Sequence, residues 1–544
     1  MTAIKNLNDK LTLDKNLIAT MLLCLVITLG TALRIYDLNA ESYWGDEVTM
    51  IEVGQNLEWI FYEVLDGRPP LYVLLAHFWM KIFGTTETAT RFLSALAGIA
   101  AIAVMYIVGR ELFGRKAGLI AALLMAISVF QITWSQTNRY YALFVLMTLF
   151  SYLFYIRFLK SRSISDLLLY SVTTVLLYYT HTAALFTIIA QGLYFLLYWN
   201  RYKDIRGQWL LSQTLILVGL GPGLLIVESH FLGLLLGEYV GTNNGASSLI
   251  VPLASPQSVN SHYVSQMGGA FSPIRHLTDV PLWEPIQTLR MFLRSRWFLI
   301  QTTLSIGAVF FVCGTLFFVV RQGKARWLVS LRDLVTNLSG FSSKQTELVL
   351  LGLWLVCPLI ILLIFSKIFG PLYNHHYTIG ASPALYLLLA FGITAVGKVV
   401  PELISIGLLV IVMMPDIPHY YARPIRAQAR EAAAYVEENA EPGDVLVFAE
   451  GHNSSTRRTF YWYYQGQDLR ECETDGQFED NEAIVAALAR CTSGSKRIWL
   501  ITSSLEPEDI KNVEAFFFNP DDKFVRLIRE QHYYRKSVYL FELH

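Results

Sequence analysis

Apolar residues in this sequence come in blocks about as long as a bilayer is thick, and the blocks recur along most of the chain. They lie near 17–36, 90–109, 117–134, 141–158, 166–180, 183–199, 209–227, 297–320, 348–366, 378–397 and 402–415. A hydrocarbon core of about 30 Å needs roughly 20 helical residues to cross it. A segment inside it must also bond its own backbone, which favours helix. Of the 544 residues, 54% are hydrophobic and 16% charged, whereas soluble domains carry about 25% charged residues. The sequence predicts a polytopic α-helical membrane protein with about eleven transmembrane helices.

Basic residues orient the blocks, because short loops rich in Lys and Arg stay cytoplasmic. Lys5, Lys10 and Lys15 precede the first block; Arg110, Arg115 and Lys116 follow the second. Arg157, Lys160 and Arg162 follow the fourth, and Arg201, Lys203 and Arg206 the sixth. Arg321, Lys324, Arg326, Arg332 and Lys344 follow the eighth. Counted through eleven crossings, all of these fall on one side. The N-terminus is then cytoplasmic, in a multi-pass protein of the cell membrane. Its first block reads as an uncleaved signal anchor, since it lacks a small-residue cleavage site. The expected organisation is a transmembrane domain over 1–415, with outer loops 37–89 and 228–296, and a soluble extracytoplasmic domain over 416–544. Gly- and Ser-rich stretches such as Gly241 to Ser248 suggest that the second loop orders on substrate binding.

The tail reads as a small α/β domain. Residues 427–440 have helical character and stop at Pro442-Gly443-Asp444, and 445–449 follow as a buried strand. Residues 481–490 and 508–518 read as helix, 497–502 as strand and 525–543 as β-rich. The tail holds no Gly-rich phosphate loop. With 43 basic and 43 acidic residues the chain offers no concentrated basic face, so nucleic acid is not an expected partner. Cys24, Cys313 and Cys357 lie in apolar blocks, whereas Cys472 and Cys491 could pair if the tail faces an oxidising compartment.

The topology puts the polar ends of several blocks at the outer face: Asp46 and Glu47, Asp66 and Arg68, Arg139 with Tyr140 and Tyr141, His181, and His375, His376 and Tyr377. A carboxylate there can take a proton from an incoming hydroxyl. Cations can hold a phosphate whose charge grows as its bond to a sugar breaks. Each residue has a plainer reading too. Arg139 alone would be a snorkelling helix-end arginine. His181 would be a cap as readily as a substrate contact, and adjacent His375 and His376 rarely present both rings to one metal. Most of the aromatics would form an interfacial belt.

Several of these stretches, in order, resemble the membrane glycosyltransferases of the C superfamily. The likeness is to the protein O-mannosyltransferase and lipid A aminoarabinose transferase group. It runs through Tyr43-Trp44-Gly45-Asp46-Glu47, Arg68-Pro69-Pro70-Leu71-Tyr72, residues 87–94 and Ser135 through Leu143. It continues with Tyr179-Thr180-His181, His376-Tyr377 through Pro383-Ala384, and the tail's Arg430 through Tyr435 with Pro442-Gly443-Asp444. It is dense over 40–185 and sparse over 200–370.

The resemblance implies an inverting transfer of one sugar from a polyprenyl-phosphate donor to a hydroxyl acceptor (protein, lipid or glycan) at the outer face. Carried over, Asp46 would be the general base or acceptor-orienting group and Glu47 a supporting carboxylate. Arg68, Arg139, Tyr140, His376 and Tyr377 would contact the donor phosphate; Tyr43, His181 and His375 would line the substrate cavity. Many members have His where Arg68 stands and Arg where His376 stands, which changes which groups neutralise the leaving phosphate. Arg68, Arg139 and Lys367 could meet that charge without a cation; a divalent ion on Asp46 and Glu47 is the other option. A lipid or solute transporter or flippase is the main alternative, but it predicts ionisable residues along a membrane pathway, and the apolar blocks contain very few.

Overall fold

A computed structural model describes residues 2–65, 68–235, 342–369, 375–448, 455–472, 495–502 and 525–543. The expected block near 297–320, the expected tail helices at 481–490 and 508–518, and outer-loop residues 236–296 lie outside the described residues. Chain order begins with α1 (Thr2–Ile35), α2 (Gly45–Gln55), α3 (Leu57–Leu65), α4 (Leu71–Phe83), α5 (Glu87–Phe113) and α6 (Arg115–Ile127). It continues with α7 (Val129–Ser135), α8 (Tyr141–Ser161), α9 (Ile164–Thr180), α10 (Ala184–Leu197), α11 (Arg206–Leu235) and α12 (Ser343–Phe369). After a 3-10 helix over His375–Ala381 come α13 (Ser382–Ala395), α14 (Val399–Met413), α15 (Asp416–Ala422), α16 (Ala429–Asn439) and α17 (Ser455–Tyr463).

Among the described residues six stretches are long and apolar enough to cross a membrane, and α6 with α7 makes a seventh, bent by 62°. The blocks near 166–180 and 183–199 appear as the shorter apolar helices α9 and α10. The protein is thus a multi-pass membrane protein with a small sheet near its C-terminus. Two compact units divide the chain: residues 1–36, 57–76 and 91–417 form one, and 37–56, 77–90 and 418–544 the other.

In the first unit the bend falls at Ser128, between α6 and α7. A helix break strands the carbonyls of its last turn, and in an apolar surrounding each needs a donor. Arg34 supplies them: Nη1 donates to Ala126 O (3.1 Å) and Nη2 to Met125 O (3.1 Å). Its side chain is wholly buried, 0% exposed. Tyr386 donates to Ser128 Oγ (2.9 Å) and Gln131 Nε2 to Ser382 Oγ (2.7 Å), tying α13 to the same corner. Ser163 caps α9 by accepting from the Ser165 N–H (3.2 Å). Backbones approach closely where Gly109 of α5 meets Gly118 of α6; a Cβ on Gly109 would lie 2.6 Å from Gly118 Cα.

Among the described residues of the second unit, five strands form one mixed sheet. They are β1 (Val445–Phe448), β2 (Arg470–Cys472), β3 (Arg497–Thr502), β4 (Val525–Tyr533) and β5 (Lys536–Leu543), in spatial order β2-β1-β3-β5-β4. β1 pairs in parallel with β2 and β3; β5 runs antiparallel to both β3 and β4. Val445–Phe448 is buried on both faces, as its unbroken apolar run requires. One face of the core packs Ala432, Ala433 and Val436 of α16 against Leu446, Trp499 and Val538. Asp444, just past the helix stop at Gly443 (φ 94°), accepts from Trp499 Nε1 and Arg497 Nη2, each at 2.8 Å. The helix expected over 427–440 appears as Ala429–Asn439 and the strand expected over 445–449 as Val445–Phe448, with strands also at 497–502 and within 525–543; α17 and β2 add to them. Cys472 in β2 is disulfide-bonded, and Cys491 lies outside the described residues.

Gly109→Ala places a methyl group against backbone that has no side chain to move. It is expected to cost about 1–3 kcal/mol and to lower the unfolding temperature in detergent. Gly192→Ala, where an added Cβ meets nothing within 4 Å, is expected to leave it unchanged or raise it slightly.

Candidate functional site

The acid pair opens α2. Trp44 is its N-cap residue, and Asp46 and Glu47 occupy the first turn, where backbone N–H groups and the helix dipole favour negative charge. The two carboxylates differ in environment. Asp46 is half-buried. Glu47 is fully buried, and its Oε2 accepts from Nη1 of Arg426, whose own side chain is 10% exposed. Arg426 follows α15 in the stretch leading to α16, and Glu41 holds that stretch: its carboxylate accepts from the N–H groups of Ile425 (3.0 Å) and Arg426 (3.1 Å).

More contacts tie the loop before α2 to the tail. Ser42 Oγ donates to Glu431 Oε2 (3.2 Å) and accepts from the Arg430 N–H (3.2 Å). Glu87 Oε1 accepts from Arg430 Nη2 and from the Tyr463 hydroxyl, both at 2.8 Å. Tyr463 Oη in turn accepts from the Tyr43 N–H (2.7 Å). Burial raises the Tyr463 phenol well above its ordinary range, and the neighbouring Glu87 charge adds to this. Tyr43 is buried, its hydroxyl 3.1 Å from Thr85 O and 2.7 Å from Thr90 Oγ1. A Cβ on Gly45 would meet Ser455 of α17 at 2.8 Å, and Arg458 donates to Thr49 Oγ1 (2.7 Å). At the far end of α2, His77 Nδ1 lies 2.6 Å from Gly54 O.

In the other unit, a separate cluster forms around the turn from α7 to α8. Gln136 Nε2 donates to Tyr36 O (2.7 Å), Ser94 Oγ donates to Arg139 O (3.0 Å), and Tyr72 donates to Asn138 Oδ1 (2.9 Å). These bonds hold the turn that presents Arg139. Its guanidinium lies 4.7 Å from the Tyr140 ring centre, with Nη2 3.1 Å from the Tyr140 hydroxyl. Tyr140 packs on His181 (4.8 Å), Tyr141 on His376 (4.9 Å), and His181 on Tyr377 (5.5 Å). Trp134 adds a wall 5.2 Å from His376.

Segments from the α7–α8 turn, the α9–α10 turn and the 3-10 helix thus bring Arg139, Tyr140, His181, His376 and Tyr377 together. Arg68 is exposed just before α4. The side chains of His375 and Lys367 lie outside the described residues.

His181 has a defined tautomer. The Ala183 N–H donates to its Nδ1 (2.9 Å), so in the neutral ring the proton sits on Nε2. Burial, with the Arg139 charge second, holds its pKa down to about 3. Among the described residues no three His, Cys, Asp or Glu side chains gather as a metal site.

Residues 67–226 match the family model described as dolichyl-phosphate-mannose-protein mannosyltransferase. The match covers that segment alone, and the resemblance to C-superfamily membrane glycosyltransferases rests on it. The matched segment contains Arg68, Arg139, Tyr140 and His181; it ends before His376 and starts after Asp46 and Glu47. No curated protein sequence matches the chain.

Among solved structures, this chain is similar to an oligosaccharyltransferase of Archaeoglobus fulgidus. The TM-score is 0.49 at 12% identity, covering 89% of this chain and 68% of that one. It is similar also to ArnT of Cupriavidus metallidurans, crystallised with undecaprenyl phosphate, with a TM-score of 0.49 at 13% identity over 95% and 97% of the two chains. The Pmt1–Pmt2 protein O-mannosyltransferase complex of Saccharomyces cerevisiae gives a TM-score of 0.31 at 18% identity over 39% and 34%.

Sequence reasoning passed over Arg426, Glu41 and the Glu87–Arg430–Tyr463 group. The only signal for Arg426 is a basic residue in the short Arg423–Arg426 stretch, and its value depends on a partner about 380 residues away.

Arg426→Ala leaves a buried carboxylate without its partner, and unfolding stability is expected to fall by about 3–5 kcal/mol. The double variant Glu47→Gln/Arg426→Met is expected to recover much of that loss in the same unfolding assay, and equal stability of the two variants would contradict the pairing. His181 protonates more readily unfolded than folded. Its contribution is thus present above its ordinary value of 6.5 and lost as pH falls towards about 3. The unfolding temperature is expected to drop over that window in wild type and less steeply in His181→Asn.

Proposed function

We propose that this glycosyltransferase moves one sugar, with inversion, from a polyprenyl-phosphate donor to a hydroxyl acceptor at the outer face of the membrane. The observation that carries the reading is the cluster around Arg139, because three of its members fall inside the family-matched segment and its residues suit a phosphate. Arg139 offers a cation, Tyr140 and Tyr377 offer hydroxyl donors, and His181, held neutral, and His376 offer ring nitrogens within an aromatic wall. Arg68 is assigned to the same phosphate, and His375 to the substrate cavity.

In the transfer, the acceptor oxygen attacks the anomeric carbon. The bond from that carbon to the phosphate oxygen breaks, and its electron pair stays on the polyprenyl phosphate. Cationic and hydroxyl donors meet that growing charge. The acceptor proton passes to Asp46, acting as general base. Glu47 supports the acid pair from its buried ion pair with Arg426, and Tyr43 anchors the strand of chain leading into it. A divalent ion on Asp46 and Glu47 would compete with Arg426 for the Glu47 carboxylate.

The proposed topology has eleven crossings, a cytoplasmic N-terminus and the tail outside. The disulfide at Cys472 supports an oxidising surrounding for the tail. The sugar and the acceptor follow from pocket shape and are to be read by assay.

Donor consumption by purified protein in nanodiscs tests the assignment, with a panel of polyprenyl-phosphate sugars and hydroxyl acceptors. Asp46→Asn is expected to slow turnover at least about a hundredfold. Turnover of Asp46→Asn at the wild-type rate would place the base elsewhere.

A further inference from the structure

A cavity of about 730 Å³ lies at one end of the helical unit, lined by Phe113, Arg115, Lys116, Lys344, Phe391 and Glu402 among others. Its walls come from three places far apart in sequence: the α5–α6 junction, the start of α12, and the link from α13 to α14. Counted through eleven crossings, each of these is an end that the charge bias assigns to the cytoplasmic side. The cavity is therefore separate from the residues assigned to the outer face.

Its lining is divided in character. Phe113 and Phe391 pack ring to ring, 4.7 Å apart, as an apolar wall. Three cations and one carboxylate supply the charge. Lys116 Nζ sits 3.0 Å from Glu402 Oε2, with Glu402 nearly buried and Lys116 mostly exposed. Arg115 bonds Asn16 through Nη1. The pairing of Lys116 leaves Arg115 and Lys344 as the charge in excess. Excess positive charge beside an apolar wall at a membrane boundary matches an anion that carries a hydrocarbon tail. A free inorganic anion would have no use for the phenyl rings.

We propose that this cavity binds the phosphate headgroup of an anionic lipid in the cytoplasmic leaflet. Arg115 and Lys344 meet the phosphate, and Phe113 and Phe391 meet the start of the chains. Glu402 limits affinity by holding Lys116. The inference stands apart from the transferase reading.

Calorimetric titration of the full-length protein in neutral detergent tests it, with dihexanoyl phosphatidic acid, dihexanoyl phosphatidylcholine and inorganic phosphate as probes. Saturable binding of phosphatidic acid is expected. In Arg115→Gln/Lys344→Gln it should weaken about thirtyfold, as the loss of two near-surface cations implies. Arg115→Lys/Lys344→Arg keeps the charge and should bind like wild type, and Glu402→Gln should bind more tightly. Equal binding by wild type and the neutralised variant would overturn the site, as would equal binding of phosphatidylcholine. Inorganic phosphate binding as tightly as phosphatidic acid would overturn the lipid assignment in favour of a free phosphate.

Discussion

A membrane interior gives a polypeptide no water to bond to, and the helical unit is arranged around that constraint. Where α6 breaks at Ser128, the stranded carbonyls of Met125 and Ala126 are met by the guanidinium of Arg34. A buried arginine is costly unless its donors are used. Here Nη1 and Nη2 satisfy backbone groups that would otherwise be costly themselves. The bend redirects the chain into α7, whose end carries the turn with Asn138, Arg139 and Tyr140. The position of the cationic cluster thus depends on a helix break that only a buried donor makes tolerable.

The second unit depends on a different interaction, the buried pair of Glu47 and Arg426. It ties an acid at the start of α2 to the chain entering the tail, and Glu41 reinforces it through two backbone N–H groups. The consequence is a separation of roles within adjacent acids. Glu47 is held at 0% exposure while Asp46 remains half-buried at the start of the same helix. The Glu47 carboxylate is committed to Arg426, whereas Asp46 sits in the first turn with partial exposure. Arg430, Glu87, Tyr463 and Tyr43 extend the same network, so the C-terminal tail is part of what orients the acid pair.

Much of this was legible in the chain before folding. Residues 427–440 and 445–449 were readable because Pro442-Gly443-Asp444 ends a helix and an unbroken apolar run follows. The strands at 497–502 and 525–543 were readable from β-branched and aromatic content. The motif around Arg139 was readable from its order relative to Tyr43–Glu47 and His181. Shorter elements were not: β2 has three residues and α17 nine, too few for a period to declare itself. The bend at Ser128 was hidden within one apolar run, because an apolar helix has the same composition whether straight or broken.

The sequence by itself determined the solvent of each segment, since hydropathy and charge bias are sums over local residues. It also determined the order of the motifs, which carries the resemblance to membrane glycosyltransferases. Only the tertiary structure decided that residues 37–56 and 77–90 fold with the tail. It alone decided that Glu47 is spent on Arg426, and that His181 shares a cluster with His376 across nearly two hundred residues. Those are pairings between distant side chains, whose energies depend on burial and distance. Neither quantity exists until the chain has folded.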